Sequence, residues 1–498
     1  MNKFLKRRRI FALCAAVVFL FTSCAGDVQG GSEGTTASYT SADEKTEQTT
    51  ALTTAETTAF ETVSATEAET SETTTTGTST EISEISDENA IPVIYISTKN
   101  GAAILSKDEY TEAKLVINGC ESGFDSLAET SCGIKGRGHS TWLWDKKPYK
   151  IKLDKAASIF GMAKAKDWIL LANYADKSLM RNYVASAMGT ALSGISFTTS
   201  QIFAEVYLNG EYQGVYTVCE QIEVKEGRVS IDKEYDVDDT GYLIEVHGVD
   251  PATDVYGRDY FSTKLVYEAR IKSPDTEKLS ESQFSYIKKY VKSTEKAIMT
   301  LDGYEDYIDV DSFIDWQILH ELTYNMDSAF RRSCFLTKPK GGKLQMGPIW
   351  DFDLAFGNFC EDSHSYDDWV TAGLFNSDCI GLDKLSEVDI DATTYDDYYI
   401  LINWYNYLMS DSAYVKKLTK RWNEVKDTLL ETAFSAIDDG ATLLGDAQLR
   451  NFSRWNCLST RVGYESGATL AYPTFNGQLD YLKNFLQKRF NWIDAQLN

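Results

Sequence analysis

The sequence predicts an α+β protein with a β-rich N-terminal half and a mostly helical C-terminal half, two lobes with a cleft between them. Three observations carry that reading. Between about residues 91 and 250 apolar residues alternate with a period of two, the pattern of half-buried strands. After about Ser280 the period lengthens to that of amphipathic helices. Nearly all apolar and aromatic residues lie after about residue 90, so the core belongs to residues 91–498. At 43% hydrophobic overall, the chain has enough apolar surface there for a sizeable core.

Residues 1–24 read as an export signal. The basic run Lys6-Arg7-Arg8-Arg9 is followed by an apolar stretch, Ile10 to Phe21, that is too short to span a bilayer. Thr22-Ser23-Cys24 then resembles a bacterial lipobox, which makes Cys24 the lipidated N-terminus of a mature protein on the outer face of the cell membrane. Residues 25–90 are Thr, Ser, Glu and Ala with one basic residue, Lys45. Such a tract cannot bury enough apolar area to offset its conformational entropy, so it reads as a disordered acidic spacer.

From Ile91 the strand patterns follow in order: Ile91–Ser97, Ala113–Ile117, Gly133–Gly138, Tyr149–Leu153, Ile169–Ala172, Ala204–Leu208, Gly214–Glu220 and Tyr242–Val246. Asn209-Gly210 marks a hairpin turn, because both residues tolerate positive φ. One helix, roughly Ser178 to Leu192, interrupts the strands. Helices are expected near Glu281–Thr300, Val310–Met326, Tyr395–Met409, Ser412–Ile437 and Gln478–Leu497, with a short β pair, Ser333–Thr337 and Lys343–Pro348, among them. The net charge of −25 argues against nucleic acid as a partner and leaves the lipid anchor as the only membrane contact.

Seven cysteines lie beyond Cys14 and Cys24: Cys120, Cys132, Cys219, Cys334, Cys360, Cys379 and Cys457. Their number is odd and no C-x-x-C spacing occurs, which excludes a full disulfide framework and disfavours a zinc site; bridges and buried thiols both stay open. His139, His247, His320 and His364 are widely spaced, without an H-E-x-x-H pattern. No G-x-S-x-G elbow supports a serine hydrolase.

Chemistry concentrates in two places. Asp327 lies near a helix end, and the hairpin that follows leads to Trp350-Asp351-Phe352-Asp353. Asp327 and Asp351 can thus meet at one cleft, one carboxylate to orient a hydroxyl and one to hold a metal. Turn-capping aspartates beside a tryptophan fit the same pattern. The second place is basic: Gly136-Arg137-Gly138-His139-Ser140 runs into Lys146-Lys147-Pro148-Tyr149-Lys150-Ile151-Lys152. Glycine turns let backbone N–H groups approach phosphate, and a strand lysine can neutralise it. Lys150 and Lys152 share one strand face, which also fits a solvated edge.

Six ordered blocks resemble the spore coat protein H (CotH) kinase family: residues 136–142, 146–155, 166–183, 206–224, 325–327 and 347–358. The resemblance covers roughly residues 92–430 and implies an atypical protein-kinase-like bilobal fold using ATP with Mg2+ (or Mn2+). It implies Asp327 as the catalytic aspartate, Asp351 as the metal-binding aspartate and Asp353 as a second contributor. Lys150, ahead of Lys152, with Arg137 nearby, would meet the phosphates, and Glu220 would sit near the adenine. Arg181 and Asn182 look structural or cleft-lining. Protein kinases carry a metal-binding Asn five residues after the catalytic Asp; here Arg332 stands there, followed by Ser333. The chain is then a slow kinase, a pseudokinase, or a kinase whose metal site is completed differently.

The leading expectation is an exported Ser/Thr kinase acting on Ser/Thr-rich exported proteins or on its own spacer. The alternative is a noncatalytic surface module that binds a protein or glycan through an aromatic cleft, with Trp142, Trp144 or Trp369 stacking sugars. A hydrolase using Asp327 and Asp351 as an acid/base pair is a third reading.

Overall fold

The chain divides into two units, Met1–Ile85 and Ser86–Asn498. The computed structural model describes residues 90–359, 366–372 and 402–498, apart from positions 247, 251, 267, 329 and 331. The signal segment with Cys24, nearly all of the spacer, Cys360, Cys379, His247, His364 and the first part of the helix expected at 395–409 lie outside the described residues.

Seven strands close into a barrel: β1 (Val93–Thr98), β2 (Thr111–Asn118), β3 (Leu127–Gly136), β4 (Tyr149–Ala157), β5 (Ala165–Leu171), β6 (Ile202–Leu208) and β7 (Glu211–Glu220). Their order is β1-β2-β3-β4-β5-β7-β6, and β6 returns to β1 by a parallel pairing from Val93↔Glu205 to Ile96↔Leu208. Period-two alternation fills the interior with Ile94, Leu115, Ile134, Ile151, Trp168, Val206 and Val218. The same register places Lys135 and Lys150 opposite each other on the outer wall. The Asn209-Gly210 turn has φ of 53° and 82°, the left-handed pair expected of a tight hairpin.

A second sheet, in the order β12-β11-β8-β10-β9, draws strands from both halves of the sequence. It contains β8 (Tyr242–Val246), β9 (Tyr260–Phe261), β10 (Ala269–Ser273), β11 (Cys334–Lys338) and β12 (Gln345–Met346). The described helices are α1 (Arg181–Thr190), α2 (Glu281–Thr300), α3 (Val310–Thr323), α4 (Trp404–Leu408), α5 (Ser412–Arg454) and α6 (Phe475–Leu497). A capping box, Ser280 with Gln283, starts α2 at the predicted residue. Helix α5 packs on α1, β7 and α6 and so joins the barrel to the helical half.

The α+β composition and the division into a β-rich and a helical half match the expectation. The kinase-like bilobal arrangement does not appear as such: the β-rich half is a closed barrel, and the second sheet mixes strands from both halves. Closure rests on the β1–β6 pairing, which joins segments about a hundred residues apart and leaves no local trace in the sequence. Strands β9 and β10 were not anticipated, and α5 runs on past Ile437 to Arg454, through a non-helical residue at Gly445. Cys132, Cys219, Cys334 and Cys457 are buried thiols, so for these four the free-thiol alternative holds.

Trp168 is fully buried inside the barrel. Trp168→Ala is expected to cost about 3–5 kcal/mol of stability in a denaturant titration. A loss below about 1 kcal/mol would contradict its place at the centre of this core.

Candidate functional site

The segment after β12 is held from several sides. Asp351 adopts φ 68°, a left-handed conformation that aspartate tolerates better than most residues. Its carboxylate accepts a hydrogen bond from Ser333 Oγ at 3.1 Å, and its carbonyl accepts one from Asn325 Nδ2 at 3.1 Å. The Phe352 N–H donates to Asn182 Oδ1 at 2.8 Å. Arg181 Nε donates to the Ala355 carbonyl, and Asn358 Nδ2 donates to the carbonyls of Asp353 and Ala175. The Phe352 ring stacks on His320 at 4.9 Å, and His320 lies on Trp316 at 3.9 Å.

Asp327 lies in a single 3-10 turn, Met326–Ser328, just after α3 ends in a left-handed Tyr324. Its N–H donates to Asn325 Oδ1, and its carbonyl accepts from the Cys334 thiol at 3.3 Å and from the Arg332 N–H at 3.4 Å. A closed turn therefore links Asp327 to β11. Asn325 serves both aspartates, since its amide also binds the Asp351 carbonyl.

The aspartates meet at Asp353. Burial, and then the charges of Asp351, Asp176 and Asp327, push its carboxyl well above the usual range. Asp351 is within hydrogen-bond reach of it. Asp176 is paired with the buried Arg181. Asp351 and Asp353 offer carboxylate oxygens, the hard donors that divalent cations take. Among the described residues no three acidic, His or Cys side chains stand ready as a metal cage. Magnesium at phosphate-transfer sites takes one or two carboxylates and completes its shell with phosphate and water, so a full cage is not required.

The glycine turn reaches this rim at two points. The Arg137 guanidinium lies 5.5 Å over the ring of Trp350, the residue before Asp351. The pKa of His139 is lowered first by burial and then by the positive charges of Arg332 and Lys107, with Asp250 opposing. Gly138 has φ 83°, and a Cβ there would sit 2.0 Å from Thr141 Oγ1, so only glycine fits.

The other expected residues lie further along the barrel. Lys150 pairs with Asp167 at 2.9 Å on the outer wall, and Lys152 lies 6.0 Å over the Tyr110 ring. Glu220 accepts the Ser200 N–H at 2.8 Å, and burial raises its pKa. The structure thus joins Asp327 to Asp351 through Asn325, sets Asp353 within hydrogen-bond reach of Asp351 and stacks Arg137 on Trp350, while Lys150, Lys152 and Glu220 engage other partners. Asp176, Ser333 and His320 join the site without having been singled out for it. Ser333 was passed over because counting five residues from Asp327 stops at Arg332, whereas the residue that meets Asp351 is the next one. The tryptophans have protein partners: Trp142 packs edge-on against Tyr149, Trp144 crowds Gly463, and Trp369 meets Trp492 at 5.0 Å.

The sequence profile of the family described as CotH kinase protein matches residues 134–493, from β3 into α6. The chain belongs to that family, and membership points to a kinase-like activity. No curated protein matches the chain.

His320 is fully buried, neither ring nitrogen has a hydrogen-bond partner among the described residues, and burial lowers its pKa well below 6.5. Below pH 6.5 the unfolded chain binds a proton that the folded one refuses, so this residue makes stability fall as pH falls. Wild type is expected to lose up to about 1.4 kcal/mol per pH unit more than His320→Leu between pH 6.5 and 5. Parallel denaturation curves across that window would contradict the neutral buried imidazole.

Proposed function

We propose that this chain is a protein kinase that transfers the γ-phosphoryl group of ATP to Ser or Thr hydroxyls of exported proteins. The observation that carries the reading is that Asn325 ties the Asp327 turn to the Asp351 loop, with Arg137 of the glycine turn stacked on the adjoining Trp350. Asp327, at the pocket edge, orients the acceptor hydroxyl. Asp351 and Asp353 hold Mg2+ or Mn2+, which when bound neutralises charge on the phosphates. Arg137 supplies positive charge to the phosphates from the glycine turn. Lys150, next to Lys135 on the same wall, adds to it after leaving Asp167; Lys152 lies one step further out. Glu220 stands toward the base. The hydroxyl-rich residues 25–89 of the same chain are one acceptor, and a lipid on Cys24 holds the protein at the outer face of the membrane.

Purified chain incubated with γ-labelled ATP and Mg2+ or Mn2+ is expected to label casein and a peptide from residues 40–85. Asp327→Ala and Asp351→Ala should each lower transfer at least about a hundredfold. No transfer with either metal, together with no thermal shift from ATP, would sink the kinase reading. The noncatalytic reading would then stand, favoured by Arg332 at the position where kinases carry a metal-binding amide. Separately, Cys24→Ser in the expressing cell should move the protein from the membrane fraction to the medium. Unchanged membrane retention would contradict the lipid anchor.

A further inference from the structure

Arg332 is held between the two main aspartates of the site. Its N–H closes on the Asp327 carbonyl at 3.4 Å. The next residue, Ser333, adopts φ 55° and donates its hydroxyl to Asp351. The Arg332 side chain is exposed and makes no ion pair among the described residues. Arg181, Arg228, Arg421 and Arg489, by contrast, are paired with carboxylates. Exposed and without a carboxylate partner, beside these aspartates, its guanidinium is open to an incoming anion.

The charges around it are layered. The inner group is acidic: Asp351 is within hydrogen-bond reach of Asp353, and Asp327 is joined to Asp351 through Asn325. Cations border the outer part: Arg137 stacks over Trp350, Lys107 Nζ donates to the Gly138 carbonyl at 3.4 Å, and Arg332 lies within electrostatic reach of His139 on the same turn. A ligand matched to that layering carries a divalent cation on its inner side and anionic oxygens on its outer side, as a metal-bound polyphosphate does. A guanidinium offers planar paired donors that suit a terminal phosphate better than an ammonium does.

We propose that Arg332 binds the terminal phosphate of the nucleotide beside the glycine turn, supplying the charge that a second divalent cation would otherwise bring. Ser333 takes the place against Asp351, which leaves Arg332 available for the phosphate. This rests on the kinase reading above.

The test is calorimetric binding of two Mg2+ complexes to the purified full chain: ADP, and the imido analogue of ATP that cannot transfer its terminal group. Arg332→Ala is expected to weaken the analogue about tenfold or more while leaving ADP unchanged. Arg332→Lys should recover part of the loss, and Lys420→Ala, a charge removal at an exposed position of α5, should change neither affinity. Equal weakening of both nucleotides, or of neither, overturns the proposal while leaving the kinase reading intact. If wild type binds neither nucleotide, both fall. Manganese counted by electron paramagnetic resonance in the analogue complex should be one ion per chain; two would also overturn the proposal.

Discussion

The buried guanidinium of Arg181 is the tie on which the pocket depends. It pairs with Asp176 and donates through Nε to the Ala355 carbonyl, while its own N–H closes on Asp176 Oδ2 at 2.8 Å. The start of α1 is thereby fastened to the loop that carries Asp351 and Asp353, and the adjacent Asn182 adds the bond to Phe352 N–H. Removing one partner of a buried pair leaves an uncompensated charge and costs about 3–5 kcal/mol. The pair also sets the electrostatics. Without Arg181, Asp176 would be one more bare carboxylate facing Asp353, whose neighbours already disfavour its ionised form.

A pocket of crowded carboxylates is costly for a fold to hold, and the surrounding structure supplies the rigidity that keeps it. The same kind of polar pinning joins the barrel to the helical half. Asn451 of α5 accepts hydrogen bonds from the Val215 N–H and from Lys146 Nζ, while Gly214 leaves room for the helix to approach β7. Lys146 is fully buried, lies over the Tyr216 ring, and has its pKa pushed down to about 7 by desolvation. A polar side chain without partners would be expensive there; donating to the Val215 carbonyl and to Asn451 Oδ1, it fixes the position of α5 on the barrel wall.

What the sequence made legible follows the range of each interaction. The alternation of Ile134, Ile151 and Trp168 is local, so the strands and the shared face of Lys150 and Lys152 were readable. The Asp167 partner of Lys150 lies on another strand and was not. The two-residue β9 is too short to show a period, and β10 lies in the same stretch of short polar turns. Helix α5 was expected to end near Ile437; packing on α1, β7 and α6 carries it on to Arg454, through the non-helical Gly445. In the site, Asp327, Asp351 and Asp353 were visible as a motif. Asp176 and Ser333 acquire meaning only from contacts with residues far along the chain or from a turn whose length differs by one.

These ties also decide where the site can adapt. The aspartate loop is anchored by Arg181, Asn182, Asn325 and Asn358, and the barrel is closed and pinned through Asn451. Donors and carboxylates held this way do not have to reorganise when a charged ligand arrives, which is how fixed dipoles gain their effect over water. The basic groups are arranged differently: Lys152 and Arg332 are exposed, and Lys150 is held by one ion pair that is partly open to solvent. Breaking such a pair costs little, on the order of 1 kcal/mol or less. The fold therefore holds its aspartate loop rigidly, while the basic groups of the barrel wall and of Arg332 stay open to solvent. In the kinase proposed here, that division would let the aspartate loop hold a metal in one place while phosphate groups enter and leave.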